Sequence, residues 1–320
     1  MEQNIKKYDV VALGELLIDF TPEGVSENGN VIFERNPGGA PANVLVALSK
    51  FGKKTSFIGK VGEDMFGAFL KNTLASYGVE TKALLTTKEC NTTLAFVALD
   101  ENNDRSFSFY RNPGADLAIS ADEVDQDAIK NCKIFHFGSV SMTDEPARSA
   151  TFHAVNCAKK EGALISYDPN LRKPLWVDEK NAERYIKEGL KLADIVKVSE
   201  EEAEFLFDTT DDAEAAKFLR DEYGIRLVMI TKGAQGCYFS CGDYEGIIPA
   251  VKANVVDTTG AGDAFMAGVL NKLIDMEKNP EELTCEELEE CIRFGTKSGS
   301  ISTERKGGIP SMPTLEQMNG

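Results

Sequence analysis

Histidine is nearly absent: His136 and His153 are the only two in 320 residues. That excludes a His-based catalytic triad and a histidine-rich metal centre. His136, inside the apolar run Ile134-Phe135-His136-Phe137, reads as a core-strand residue. Positive charge is also scarce. Lys and Arg total 35 against 52 Asp and Glu, a formal net charge of −17, whereas a nucleic-acid partner calls for a basic surface. No apolar run approaches the roughly 20 residues needed to cross a bilayer. Residues 1–9 are polar and lack the apolar centre of a signal peptide. The expectations are no nucleic acid, no membrane and a cytoplasmic location. The 7 cysteines, at positions 90, 132, 157, 237, 241, 285 and 291, are odd in number and match no zinc spacing. Cys237 and Cys241 stand closest together, but no second pair accompanies them. Free thiols in a reducing compartment follow. Two nucleotide signatures are missing as well. There is no Walker A pattern, and Gly260-x-Gly262 is followed by Phe265 where a dinucleotide fold needs its third glycine.

What is present is an alternation. Short apolar runs at residues 10–13, 134–137, 164–167, 195–198 and 227–230 read as buried parallel strands. Between them lie helical patterns: Val44, Ala47, Leu48 and Phe51 recur at i, i+3, i+4 and i+7, and Tyr185, Ile186, Gly189 and Leu190 do the same. The fold class is α/β, a doubly wound, mainly parallel sheet with helices on both faces. Two stretches break the pattern. Residues 15–37 lack helical periodicity and end in Val31-Ile32-Phe33-Glu34. Residues 92–111 run from Thr92 to Leu99, turn at residues 100–104, then alternate through Phe107, Phe109 and Arg111. Both are expected in a small β lid, leaving residues 1–14, 38–91 and 112–320 as the main domain. A small sheet with a face to cover allows a homodimer through the lids. The acidic residues 200–212 read mostly as a solvated helix face, Trp176 as packing, and the polar residues 314–320 as a frayed end.

The segment Asp257-Thr258-Thr259-Gly260-Ala261-Gly262-Asp263-Ala264-Phe265 carries the chemistry. An extended segment, Ile247 to Val251, precedes it. Phe265, Gly268, Val269 and Lys272 follow at helical spacing, with Leu270 and Ile274 widening the apolar face. The glycine turn therefore opens a helix, and its unpaired N–H groups and dipole form an anion site. Asp263 stands where it can take a proton from a hydroxyl attacking that anion, an arrangement suited to phosphoryl transfer. A second segment, Asn36-Pro37-Gly38-Gly39-Ala40-Pro41-Ala42-Asn43, lets the backbone approach a ligand at Gly38-Gly39. Asn43 offers donors and an acceptor to hydroxyls. Asp168 and Asn170 follow a strand end, where such sheets line their crevice. Arg111 and Arg172 are expected to clamp phosphate or a substrate carboxylate, with a surface ion pair as the plain alternative for each.

Together these segments resemble the PfkB (ribokinase-like) carbohydrate kinases along nearly the whole chain. Residues 38–52 resemble that family's N-terminal signature, residues 257–265 its C-terminal one, and Gly59 to Gly67 also matches. Within the family the chain is most similar to fructokinases, through residues 38–43, Phe109-Tyr110-Arg111-Asn112-Pro113-Gly114-Ala115-Asp116 and the run from Asp168 to Trp176. The resemblance implies an ATP-dependent kinase acting on a primary sugar hydroxyl, fructose above all. Asp263 would be its base, and Gly260, Ala261 and Gly262 its anion hole. Asp19, Gly38, Gly39 and Asn43 would contact sugar, with Phe109, Arg111 and Arg172 at the lid and rim. Ser199, Thr231, Lys232, Gly233 and Gly236 would hold nucleotide, although Ser199 stands where the family usually carries Asn. Glu202 and Asn170 would serve Mg2+. Asp257, Thr259, Ser302, Arg305, Gly307 and Ser311 align with a loop for a monovalent cation, K+. A 2-keto-3-deoxygluconate kinase is the alternative substrate reading, and a non-catalytic sugar or nucleotide sensor the remote one. Ribose is disfavoured because Ala40 stands where ribokinases usually carry Lys.

Overall fold

Alternate residues of a strand face opposite sides of its sheet. In β1 (Tyr8–Leu13) Val10 and Ala12 enter one hydrophobic cluster and Val11 and Leu13 another, all fully buried. A strand with two apolar faces requires helices on both sides. The helices Ala40–Lys50, Ala261–Met276 and Cys285–Ser302 cover the Val10 face, while Ala147–Lys160, Glu179–Leu190 and Asp212–Tyr223 cover the other.

The computed structural model describes residues 6–99 and 105–320. The remaining strands are β2 (Leu17–Val25), β3 (Val31–Gly38), β4 (Thr55–Gly62), β5 (Leu84–Thr87), β6 (Leu94–Leu99), β7 (Arg105–Tyr110), β8 (Cys132–Gly138), β9 (Leu164–Asp168), β10 (Ile195–Ser199), β11 (Leu227–Thr231), β12 (Cys237–Cys241) and β13 (Tyr244–Ile248). Nine strands form one sheet in the order β13-β12-β11-β10-β9-β8-β1-β4-β5, and four form a second, β3-β2-β6-β7. The large sheet is parallel from β5 to β11. β12 and β13 extend it as an antiparallel hairpin. All five apolar runs read as strands from sequence are strands here. The segment before the glycine turn is a strand only to Ile248, at the sheet's antiparallel edge.

The second sheet comes from the two stretches that broke the helical pattern. The expected turn at residues 100–104 lies outside the described residues. One expectation fails: the C-terminal end is not frayed. Leu315–Asn319 is a short helix capped by Thr314 and Gln317, and Met318 is buried in the core. Among the described residues no helix is long and apolar enough to cross a membrane.

Candidate active site

Parallel strands deliver their carboxyl ends to one edge of the sheet, and the crevice of such a fold lies there. β9 ends on Asp168, β10 on Ser199 and β11 on Thr231. Into this edge runs the glycine turn. Gly260 is left-handed at φ +79°, and a Cβ on it would sit 2.8 Å from Met312 Cε. The chain then enters the helix Ala261–Met276, which has no side-chain cap. The Gly262 and Asp263 N–H groups, in the first turn, have no intrahelical acceptor. Such groups and the helix dipole suit an anion.

Asp263, in that first turn, is 5% exposed. Its Oδ2 accepts from Asn43 Nδ2 at 2.7 Å and its Oδ1 from Asn170 Nδ2 at 3.4 Å. Burial, aided by the Asp168 charge, pushes its pKa up to about 6 against the Asn43 hydrogen bond and the charges of Lys197 and Arg172. Asn43 lies in the first turn of the helix Ala40–Lys50 and is buried, and its Oδ1 has no partner within the chain. Asn170 holds a left-handed backbone at φ +47°, fixed by its N–H donating to Asp168 Oδ1 at 3.2 Å.

The second sheet brings a further set of residues together. Residues paired directly across strands share a face. Asp19 pairs with Asn36 and with Ala95, and Ala95 pairs with Phe109. One row therefore carries Asn36, Asp19, Ala95 and Phe109 on a common face. Burial pushes Asp19 up to about 6; Arg172 opposes the rise and Asp257 adds to it. Gly38 is required here, since a Cβ would fall on the Asp19 carboxylate, and Gly39 at φ +124° would drive one into the Glu15 carbonyl.

Beneath the crevice lies a buried charge cluster. Lys197 Nζ donates to both Asp168 oxygens, at 2.9 and 2.8 Å. Burial works against the Lys197 charge, but Asp168, Glu202 and Asp263 outweigh it and hold its pKa above the ordinary lysine value. Glu202 is buried, and its oxygens accept the Leu171 N–H at 2.6 Å and the Ser199 N–H at 2.9 Å. Burial raises its pKa. The Ser199 hydroxyl is occupied in return, accepting the Glu202 N–H at 3.2 Å as the cap of the helix Glu200–Phe207.

The two arginines part company. Arg172 is exposed at the rim, and its charge reaches both Asp19 and Asp263. Arg111, expected as a clamp, is spent inside the protein. It is 8% exposed. Its Nε and Nη2 meet Asp116 Oδ2 at 2.8 and 2.6 Å, Nη1 donates to Thr143 Oγ1 at 2.8 Å, and Nη2 to the Val140 carbonyl at 3.0 Å. That set fixes it as a brace where β7 returns to the main sheet.

Around the glycine turn, Asp257 Oδ1 accepts from the Thr259 N–H at 2.9 Å and hydroxyl at 2.8 Å, and Oδ2 from the Gly307 N–H at 2.9 Å. Ser302 and Ser311 are buried and donate their hydroxyls to the Gly299 and Gly308 carbonyls. The Arg305 guanidinium is itself cationic and has no acceptor, so only its backbone carbonyl suits a cation. A loop rich in carbonyls with one carboxylate fits a hard monovalent ion. Among the described residues no group of three or more His, Cys, Asp and Glu forms a metal cage. Glu202 and Asn170, the residues expected at Mg2+, offer a single carboxylate and an amide, which fits Mg2+ only as an ion carried mainly by phosphates and water. In the loop after β11, Lys232 is tied to Asp212 Oδ2 at 2.6 Å. Gly233 and Gly236 both take positive φ, and the Lys232 N–H closes the turn on the Gly236 carbonyl at 2.8 Å.

Two residues escaped the sequence reading. Lys197 had a signal: a lysine inside an otherwise apolar buried strand. Glu15 had none beyond following β1. It is buried, its Oε1 accepts the Ala40 N–H at 2.8 Å, and Oε2 is unpartnered. Burial pushes its pKa up to about 7.

A buried carboxylate beside an uncapped helix start suits a phosphotransferase for hydroxylated substrates. Comparison with known proteins makes this specific. Residues 7–315 match the pfkB family carbohydrate kinases. The chain is 44% identical over 310 residues to fructokinase-1 of Zea mays, covering 95% of this chain and 94% of that one. A Xylella fastidiosa fructokinase solved with bound ATP superposes at a TM-score of 0.90, with 34% identity and 97% of each chain covered. A Vibrio cholerae fructokinase double mutant, solved with fructose, ADP and potassium ion, gives 0.88, with 30% identity and 98% of each chain covered. The chain belongs to the pfkB family: it is an ATP-dependent carbohydrate kinase of the fructokinase type.

Proposed function

We propose that this kinase transfers the γ-phosphoryl group of ATP to a primary hydroxyl of fructose, with Asp263 taking the hydroxyl proton. One observation carries the reading. Asp263 is buried beside an uncapped helix start and held by Asn43, while Asn43 Oδ1 has no partner within the chain. Asn43 Oδ1 and the Asp19 carboxylate are acceptors, and a polyol supplies the matching donors. Gly260, Ala261 and Gly262 form the anion hole for the group in flight. Proton transfer to Asp263 comes late, since such transition states are loose.

Residues 15–37 and 92–111 act as a lid over residues 1–14, 38–91 and 112–320. Closure of Asp19 and Phe109 onto a sugar held against Gly38 and Gly39 excludes water that would otherwise take the phosphoryl group. Thr231, Lys232, Gly233, Gly236 and the Ser199 backbone flank the nucleotide. Mg2+ on the ATP phosphates would neutralise charge on the transferring group, with Glu202 and Asn170 the residues at hand for its water shell. K+ would sit in the loop of Asp257, Thr259, Ser302, Arg305, Gly307 and Ser311 and steady the glycine turn. The lid's other face stacks Phe20 on Phe96, sets Tyr110 edge-on to Phe96 and leaves Tyr110 67% exposed. A second copy laying its lid there would cover it, so mass should rise with concentration in solution. The 7 free thiols suit a reducing cytoplasm.

The 2-keto-3-deoxygluconate reading loses one of its two cations, because Arg111 is bound to Asp116; Arg172 alone remains for a carboxylate. Coupled ADP release against fructose, 2-keto-3-deoxygluconate, ribose and adenosine tests the proposal. Preferential turnover of fructose is expected. Preference for the keto-acid would assign Arg172 to its carboxylate and overturn the substrate. Silence on all four, with ATP still bound, would overturn catalysis in favour of a sensor.

A further inference from the structure

β10 buries a charge that this scheme leaves unused. Ile195, Val196 and Val198 are apolar and fully buried, yet Lys197 among them is only 6% exposed. An ion pair in such a place is costly to assemble, and apolar residues of similar size would serve a core at least as well. Two contacts lead from Lys197 to the reaction centre. One passes through Asp168, whose Oδ1 accepts both from Lys197 Nζ and from the Asn170 N–H, and so holds the left-handed backbone of Asn170. Asn170 Nδ2 then reaches Asp263 Oδ1 at 3.4 Å. The other is direct. A Cβ built on Gly262 would lie 3.0 Å from Lys197 Nζ, so the ammonium sits directly against the glycine turn.

We infer that Lys197 is a positioning residue for phosphoryl transfer: its ammonium braces the turn at Gly262 and, through Asp168, aims Asn170 at Asp263. The inference rests on reading Asp263 as the base and the glycine turn as the anion hole. Glu202 takes no part in the relay, since its oxygens hold backbone N–H groups of Leu171 and Ser199.

The test compares Lys197→Met with the double variant Lys197→Met, Asp168→Asn, measuring kcat, both KM values and Tm on the full chain with fructose and ATP. Lys197→Met should lose about 100-fold in kcat, the scale of a small misplacement of reacting groups. Both KM values should stay within about threefold, since positioning acts on the transition state alone. It should also lower Tm, because Asp168 is left buried without its partner. The double variant removes that defect, so Tm should recover while kcat stays low. Recovery of kcat together with Tm would overturn the inference and leave the pair a feature of the core. So would an unchanged kcat in Lys197→Met, a rise in KM alone, or failure of both variants to fold. Asp263→Asn in parallel separates this inference from the reading beneath it. If that variant keeps its rate, the base assignment falls whatever Lys197 does.

Discussion

Replacing Asp263 by Asn should cripple catalysis and at the same time make the protein more stable. The carboxylate is buried, and its pKa rises from 3.8 to about 6. Between those values the folded state binds a proton that the unfolded state has lost, so stability falls as pH rises through that window. Above pH 6 the full difference is in force. At about 1.36 kcal/mol for each pH unit between the two values, the ionised side chain costs the fold roughly 3 kcal/mol. Asn keeps the shape and an acceptor for Asn43 Nδ2 but carries no charge. A chain of this length gains roughly 1–2 °C in Tm per kcal/mol, so Asp263→Asn should melt roughly 3–5 °C higher at pH 8. The gain should shrink as pH falls through 6 and vanish near 4. Loss of a general base costs about 10²–10⁴ in kcat. Scanning calorimetry across pH and coupled ADP release with fructose measure the two effects. A kcat within about tenfold of the parent would refute the assignment of the base. A Tm at pH 8 that fails to rise would refute the claim that burial loads this carboxylate with a cost.

Two further substitutions probe the walls of the site. Asn43→Ala removes a hydrogen bond to a buried carboxylate, worth about 1.5–3 kcal/mol, so kcat/KM should drop roughly 10–100-fold. Asn43 also lowers the Asp263 pKa, so the acid limb of the rate profile should move to higher pH; a limb that stays put or moves down would contradict this. Gly39→Ala forces a side chain onto a backbone at φ +124° and into the Glu15 carbonyl. The strain alone costs about 1–3 kcal/mol, and melting together with KM for sugar should both suffer; a variant matching the parent in both would show that this junction tolerates a Cβ.

What the sequence revealed was what is local. The glycine turn at residues 257–263 could be read because its residues, its helix and its base lie within nine positions. The five buried strands could be read from their apolar runs, and the strand Arg105–Tyr110 of the second sheet from alternation. The contacts that give these parts meaning were less legible because they join distant segments. Asp19 and Phe109 share a face only through the register of β2 on β6 and β6 on β7. Arg111 has Asp116 five residues away in plain view, but its burial depends on Val140 and Thr143, which no local pattern ties to it. The C-terminal helix Leu315–Asn319 looks polar in sequence, and one buried residue, Met318, with a capping box anchors it. Lys197 was visible as an anomaly in an apolar strand, but its role depends on Asp168 and Gly262, 29 and 65 positions away.

The charge balance of the whole molecule makes a last demand on this reading. A protein of net charge −17 must attract ATP, itself an anion, into a crevice that holds Asp19 and Asp263, with Asp168 and Glu202 buried beneath it. It does so with few full charges. Lys197 offsets the Asp168 charge. What remains attractive is short-ranged: the N–H groups of the glycine turn, the helix dipole and Arg172. What repels is long-ranged, the summed field of the acidic surface. Salt screens the second far more than the first, since the Debye length falls from about 30 Å at 0.01 M to about 10 Å at 0.1 M. Raising ionic strength across that range with tetramethylammonium chloride, at fixed K+ and Mg2+, should therefore lower KM for ATP by about twofold or more. KM for fructose, which is neutral, should stay unchanged. A KM for ATP that climbs with salt would mean that a basic surface steers the nucleotide, and the assignment of its binding to the glycine turn would have to give way.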